Sequence, residues 1–376
     1  MKVVEIRTHV LGFDYDKPWG SARVWFTRAR SLLVEVVSDE GIIGWGHCRG
    51  PVGPCRAGIL QLAELVIGRD PLDTEVLWGE LYHRVKDHGA KGVMISAISA
   101  IDTALWDVKG KAVGLPVYKL LGGKVRERVP AYATGFYFTE DADHVRVAVE
   151  EAHRFKAQGF TAMKVKLGLG VKEDVKRVAA VRREVGDDVV LMTDASRAYN
   201  LTSAIQLGRR LQDLDVYWLE EPLSPEDVEG SAELCRMLDL AIAGGEAEFT
   251  KYGFRDLITR RAADIVQPDV GRCGGVTEAK KIITLAETWY VPCVTHIGGT
   301  PVAMGASLQL LAVIPDCPMT RFAPPPYCEV INVQNPLRDH LLTEPLKSVD
   351  GWVAIPDRPG IGIEIDREAL RRYTVE

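Results

Sequence analysis

Cysteine is scarce in this chain, with seven residues in 376. The number is odd, and no two of them stand in a C-x-x-C pair. Neither a disulfide scaffold nor a zinc ribbon is expected, and the reading is a reducing cytoplasm. An excess of basic charge is missing as well. The formal net charge is −6, which disfavours nucleic acid as a partner, because that binding rests on a basic surface. With 26% charged and 47% hydrophobic residues, the chain lacks the polarity of a disordered protein. No signal peptide is expected, since Glu5 and Arg7 interrupt the N-terminal apolar run. One long uncharged run occurs: Thr288 to Pro315 holds no Asp, Glu, Lys or Arg. A membrane span needs roughly 20 apolar residues in a row. Here Pro292, Gly298, Gly299 and Pro301 would break the helix in mid-bilayer. The expectation is a buried strand, a polar turn and a buried helix, with no membrane partner.

At this length the chain suits two domains better than one. Residues 1–125 are mixed in character. Val3–Gly12 reads as a strand, and Arg30–Ser38 with Gly41–Gly46 reads as a hairpin. Ser96–Val113 has helical spacing and ends near Gly114 and Pro116. From about 126 the pattern changes to short apolar runs alternating with amphipathic stretches. The runs are Val129–Gly135, Met163–Leu167, Val189–Thr193, Val216–Leu219, Leu240–Ala243, Asp264–Gln267, Val291–Thr295 and Met319–Phe322. Between them lie helical stretches such as Ala142–Gln158 and Val171–Val185. Eight strands alternating with helices imply a parallel sheet that closes into a barrel. An open doubly wound sheet is the alternative. It often carries G-x-G-x-x-G after its first strand, whereas here that strand ends Thr134-Gly135-Phe136. The last helix is weak, and Gly351–Asp366 returns to strand and turn character. The expected fold is α/β, a modified TIM barrel of (β/α)7β form over 126–344. An α+β capping domain over 1–125 is completed by 345–376.

Barrel chemistry sits at the carboxyl ends of the strands. Those ends carry Lys164 and Lys166, then Asp194, Glu220, Glu246, Asp269 and His296, and the steps from Lys166 onward are 28, 26, 26, 23 and 27 residues. Each step is one strand-plus-helix unit. A single acid just past a strand is usually a turn former or a helix cap. Six successive titratable strand ends in buried strands are harder to explain that way. Glu221 and Glu248 need no more than a cap or an ion pair. Asp194, Glu220 and Glu246 would repel one another unless a cation joined them. Oxygen-only donors favour a hard ion, so Mg²⁺ is the expected cofactor and a small carboxylate the expected partner. Lys164 and Lys166 share one strand face, and two close ammonium groups can leave one neutral enough to act as a base. Asp269 beside His296 would fix its tautomer. A base on each side of a metal suits removal of a proton from carbon next to a carboxylate.

The motifs KVKLG (164–168), TDASRAY (193–199), WLEEPL (218–223), AGGEAE (243–248), IVQPDVGRCGG (265–275) and VTHIGGT (294–300) resemble the enolase superfamily, and within it the mandelate racemase subgroup. That superfamily's base and metal-stabilised intermediate are general knowledge. The resemblance implies Asp194, Glu220 and Glu246 as Mg²⁺ ligands and Lys166 as one base. Lys164 would neutralise the substrate carboxylate, and His296 with Asp269 would form the opposite dyad. It implies that Glu329, beyond the eighth strand, hydrogen-bonds the enediolate. Tyr15, Trp19 and Arg23 fall in a loop the family folds over its site. Ser196 stands where the family often has Asn, His47 where it often has Glu, and Ile297-Gly298-Gly299 follows His296. These departures border the substrate. The chain is most similar to sugar-acid dehydratases and galactarolactone cycloisomerases, so β-elimination from a sugar acid is expected. Dehydration is favoured over lactone opening and over racemisation. A barrel that only binds sugar acids would have no use for Lys166 and His296. The resemblance also implies a homo-oligomer.

Overall fold

The computed structural model describes residues 1–141, 143–321 and 323–375. Strands β1 (Val3–Gly20), β2 (Trp25–Ser38) and β3 (Ile43–Cys48) form an antiparallel sheet in sequence order. β1 and β2 extend well past the expected strands, into a hairpin whose tip lies at 21–24. Helices α1 (Val52–Val66) and α3 (Val93–Ala112) pack on this sheet, α2 (Thr74–Gly89) packs against α3, and the short α4 (Val117–Leu120) leads away. The motif Gly44-Trp45-Gly46 sets how close α3 comes. A β-carbon at Gly44 would stand 2.1 Å from the Ala104 carbonyl, and one at Gly46 1.9 Å from that of Ala100. Only glycine allows the helix to lie directly on the strand. Trp45, on the other strand face, is buried.

The second part alternates β4 (Arg128–Gly135), α5 (His144–Ala157), β5 (Ala162–Lys166), α6 (Val171–Val185), β6 (Val190–Asp194), α7 (Leu201–Gln212) and β7 (Val216–Glu220). It continues with α8 (Val228–Met237), β8 (Ala241–Gly244), α9 (Thr250–Thr259), β9 (Ile265–Val266) and α10 (Gly275–Thr288). The strands from β4 to β9 are parallel neighbours. The expected seventh strand joins β9 through single bridges, Val266 to Cys293 and Asp269 to His296. A turn and α11 (Pro301–Leu311), buried along its whole length, follow. The uncharged run is thus strand, turn and buried helix. Among the described residues, no helix is long and apolar enough to cross a membrane.

The eighth strand is misplaced in the sequence reading. It is β10 (Cys328–Ile331), which pairs in parallel with β4 and turns the row of strands back on its start. Met319 is 78% exposed, and Phe322 lies outside the described residues, as does Ala142 at the start of the expected first helix. Pro318 and Pro324–Pro326 flank the run around 319 and remove the donors a central strand needs. The gap between the seventh and eighth strands is spanned by a side chain, the Ile297 amide donating to Glu329 Oε2 at 3.2 Å. The row therefore curls into a barrel. After α12 (Pro336–His340), β11 (Trp352–Ala354) pairs antiparallel with the start of β4, and α13 (Arg367–Tyr373) returns to β1, where Leu11 bridges Thr374.

Candidate active site

Parallel register sets the site. Lys166 pairs with Asp194 across β5 and β6, and Asp194 pairs with Glu220 across β6 and β7. Glu246 follows β8, Asp269 bridges His296, and Glu329 lies inside β10 rather than beyond it. The longer step to Glu329 reflects the loop that displaced this strand. A cavity of about 730 Å³ covers these ends. Lys166, Asp194, Ser196, Glu246, His296 and Glu329 line it from the barrel, and Tyr15, Trp19 and Arg23 from the hairpin of β1 and β2. Lys164, Glu220 and Asp269 do not line it; all three are buried directly behind.

Each acid of the site is matched to a cation. Lys164 Nζ lies 2.8 Å from Glu220, 3.0 Å from Glu329 and 4.0 Å from Asp194. Lys166 bonds Asp194. Arg197 reaches Glu221 at 2.6 Å and Glu246 at 2.7 Å. His296 Nδ1 lies 2.6 Å from Asp269, and its Nε2 3.1 Å from Glu246. Burial alone would lower the His296 pKa, but the Glu246 charge and the Asp269 hydrogen bond outweigh it and hold the ring at about 9. Burial would raise Asp269, and its bond to His296 holds it at about 2. Glu329 is treated likewise by Lys164, whose charge overcomes burial and brings it to about 2. As a carboxylate, Glu329 accepts from Thr134 Oγ1 at 2.7 Å.

The lysine pair differs from expectation. Burial and the Lys164 charge do lower Lys166, but Asp194 outweighs both and holds the ammonium above its ordinary value. Lys164 is likewise held above its own by Glu220 and Glu329, against burial. Lys164 is fully buried between those acids.

The donor set fits a hard divalent cation. Burial, and after it the charges of Asp194, Glu329 and Glu246, push Glu220 up to about 7 despite Lys164. Such crowding of carboxylates is what a cation relieves. Among the described residues, no three acidic, histidine or cysteine side chains converge as ion ligands in their present rotamers. Asp194, Glu220 and Glu246 are turned instead toward Lys166, Lys164 and Arg197. The turn between β6 and α7 is strained around them. Ser196 and Arg197 have φ of 46° and 66°, in the left-handed region that side chains with a Cβ occupy at a cost. Ser196 donates to Asp194 Oδ1 from its backbone N–H at 2.7 Å and its hydroxyl at 3.1 Å.

Tyr199, which closes the motif TDASRAY, does not line the cavity; its hydroxyl bonds Asp174. Glu248 is an ion-pair partner of Lys91 at 2.7 Å. Three residues were missed. Tyr137 lines the cavity with its ring 5.3 Å from Lys166 Nζ. Its position just past β4 was a readable signal, since β4 is also a barrel strand. Gln267 donates to Glu220 at 2.9 Å, and Arg49 lines the cavity from the loop after β3. No spacing rule points to Arg49, because it follows β3 of the antiparallel sheet and not a barrel strand. His47 is buried, with Nδ1 3.2 Å from Thr300 Oγ1 and Nε2 without a partner. Burial lowers it to about 4, so it is neutral.

Known proteins share this sequence and fold. The chain is 42% identical over 373 residues to the D-galactarolactone cycloisomerase of Agrobacterium fabrum, covering 99% of both. It is 34% identical to the arabinonate dehydratase of Saccharolobus solfataricus, over 91% of this chain and 90% of that one. A crystal structure of a racemase from Streptomyces coelicolor A3(2) with bound magnesium superposes with a TM-score of 0.88 at 31% identity, covering 99% of this chain and 100% of that one. Residues 6–122 match the mandelate racemase / muconate lactonizing enzyme N-terminal domain, and residues 147–369 match the enolase C-terminal domain-like family. On these matches, this chain belongs to the mandelate racemase / muconate lactonizing enzyme family of the enolase superfamily.

Proposed function

We propose that this enzyme removes the proton next to the carboxylate of a sugar acid or sugar-acid lactone and then expels the β-oxygen. The carrying observation is that Lys166 and His296, from nearly opposite strands, line one cavity with the carboxylates of Asp194 and Glu246. Relatives that act as a dehydratase and a cycloisomerase support the same shared step. We assign residues 1–125 with 345–376 to the cap and 126–344 to the barrel.

We assign Asp194, Glu220 and Glu246 to hold Mg²⁺. When bound, the ion supplies positive charge against the negative charge that builds on the substrate carboxylate. With Asp194 committed to the ion, Lys166 would lose the partner that holds it charged and would fall toward neutrality. Lys166 then serves as the base on one face of the carbon. With Glu246 likewise committed to the ion, His296 would lose the charge that most raises it and serve as base on the other face, its tautomer held by Asp269. Lys164 orients Glu220 and Glu329. Glu329 needs a proton of its own to donate to a substrate oxygen. Ser196 keeps Asp194 in place, and Tyr15, Trp19 and Arg23 close the cavity over the substrate.

The test is solvent exchange. The protein with Mg²⁺ is mixed in D₂O with a panel of mono- and diacid sugars and their lactones. Loss of an α-proton NMR signal and appearance of a 2-oxo product are expected for at least one member. Absence of both across the panel rules the reading out.

A further inference from the structure

We propose that Arg49 is a further catalytic residue, placed to receive the oxygen expelled in the elimination as a carboxylate. The substrate of this site is then a sugar-acid lactone rather than an open-chain acid. The proposal rests on the elimination reading above.

The cap delivers Arg49 to the dyad. Its backbone N–H donates to the Gly271 carbonyl at 2.9 Å, and its carbonyl accepts from Ser96 Oγ at 2.9 Å. Gly271 in turn donates to Asp269 Oδ1 at 2.8 Å. The residue is thus anchored to the same loop that holds Asp269. Its side chain runs to Gly298. A β-carbon there would stand 2.9 Å from the guanidinium carbon and 3.0 Å from Cε1 of His296. Imidazole and guanidinium therefore flank one glycine, and the missing side chain leaves the space in front of them clear. Arg49 Nε lies 3.9 Å from Asp269 Oδ2, whose closer partner is His296 at 2.6 Å. No other ion-pair partner of Arg49 stands within 4.0 Å among the described residues. Its side chain is 38% exposed and lines the cavity. The other charged cap residues on that lining are Arg23, Arg28 and Arg30, and no cap acid joins them.

The leaving group decides what such a residue can do. Elimination breaks the Cα–H bond, makes the Cα–Cβ double bond and breaks Cβ–O, and the electron pair leaves on oxygen. From an open-chain acid the oxygen leaves as hydroxide and must be given a proton. A guanidinium does not give one near neutral pH. From a lactone the ring oxygen leaves as a carboxylate and needs no proton. Its two oxygens match the guanidinium fork. The enol left behind takes a proton at Cβ and releases its hydroxyl proton, giving a 2-oxo diacid with no water or oxidant consumed. The second negative charge develops only as the ring opens, so Arg49 binds the transition state better than the neutral lactone. Dehydration, favoured by sequence, has no such use for a fixed cation beside His296.

The experiment follows ring opening and α-proton exchange together in D₂O with Mg²⁺, for wild type, R49Q and R49K. For R49Q, kcat for an aldarolactone should fall by about 100-fold or more with little change in KM. Deuterium should still enter the recovered lactone. R49K, which keeps the charge without the fork, should fall between the two and answers the question if R49Q does not fold. Equal loss of exchange and ring opening in both variants overturns the assignment, as does faster turnover of open-chain acids than of lactones by the wild type. If the wild type exchanges no α-proton in any acid or lactone, the elimination reading itself falls, and Arg49 with it.

Discussion

Nδ1 of His296 stands 2.6 Å from Asp269 Oδ2, which leaves Nε2 as the nitrogen that faces Glu246 and the cavity. A carboxylate at Nδ1 both orients the ring and stabilises its charged form. Asp269→Asn keeps the shape but removes the charge. Turnover should fall on the order of 100-fold or more, with the fold retained by circular dichroism. An Asn variant as active as the wild type would show that His296 works without its partner.

Lys166 and His296 are assigned as bases, not as ligands. Lys166→Ala and His296→Ala should each abolish turnover while leaving Mg²⁺ binding intact. For Lys166→Ala the affinity should hold or rise, because the lysine competes for Asp194 in this structure. Isothermal titration with Mg²⁺ and an activity assay decide. Loss of metal binding in either variant counts against the division of roles.

Much of this site was legible because parallel strands repeat. Lys166, Asp194 and Glu220 sit in register, so a spacing near one strand-plus-helix unit located them without coordinates. Spacing failed where the repeat did. The irregular stretch before β10 shifted the eighth strand by nine residues, from Met319 to Cys328, and made Glu329 look remote. Charge state was not legible either. Two lysines on one face suggested mutual depression, but Glu220, Glu329 and Asp194 around them reverse its sign. Arg49 reaches the site only through docking of the cap, and no local pattern encodes a contact between residues so far apart in the chain.

The metal assignment predicts a stability effect. A ligand that binds only the folded state raises stability by about 2.7 kcal/mol at 100 times its Kd. Added Mg²⁺ should therefore raise Tm of the wild type. Glu246→Gln should weaken Mg²⁺ binding by at least about 10-fold and shrink the Tm rise at the same Mg²⁺ concentration. An unchanged affinity by calorimetry would remove Glu246 from the ligand set.

Asp102 predicts a pH dependence away from the metal. It lies in α3 and accepts from the Thr277 amide at 2.9 Å and from Thr277 Oγ1 at 2.6 Å, joining α3 to α10. Burial pushes it up to about 7 from an ordinary value of 3.8, although the Thr277 bonds oppose the shift. A carboxyl that holds its proton more tightly when folded contributes stability below the unfolded pKa, and that contribution is lost as pH rises through the folded one. Between pH of about 4 and 7, stability from this group should decline. Asp102→Asn should flatten that part of the profile in urea titrations at several pH values. An unaltered slope would mean that Asp102 is charged in the folded protein.

Gly299 is where His47, whose Nε2 has no partner, meets the cavity wall. Its φ is +99°, and a β-carbon there would stand 2.7 Å from both Cε1 and Nε2 of His47. Gly299→Ala therefore has two costs, a backbone conformation that suits glycine and a collision with a buried ring. Strain of this kind is worth about 1–3 kcal/mol, and overpacking adds about as much. His47→Ala alone removes a ring whose Nε2 has no partner, but it opens a cavity. The double variant tells the two costs apart, because only the collision depends on His47. Urea unfolding of the four proteins should give a coupling energy of about 1 kcal/mol or more in the direction of rescue. Strict additivity would show that the backbone angle alone demands glycine, and that the ring has room to move aside.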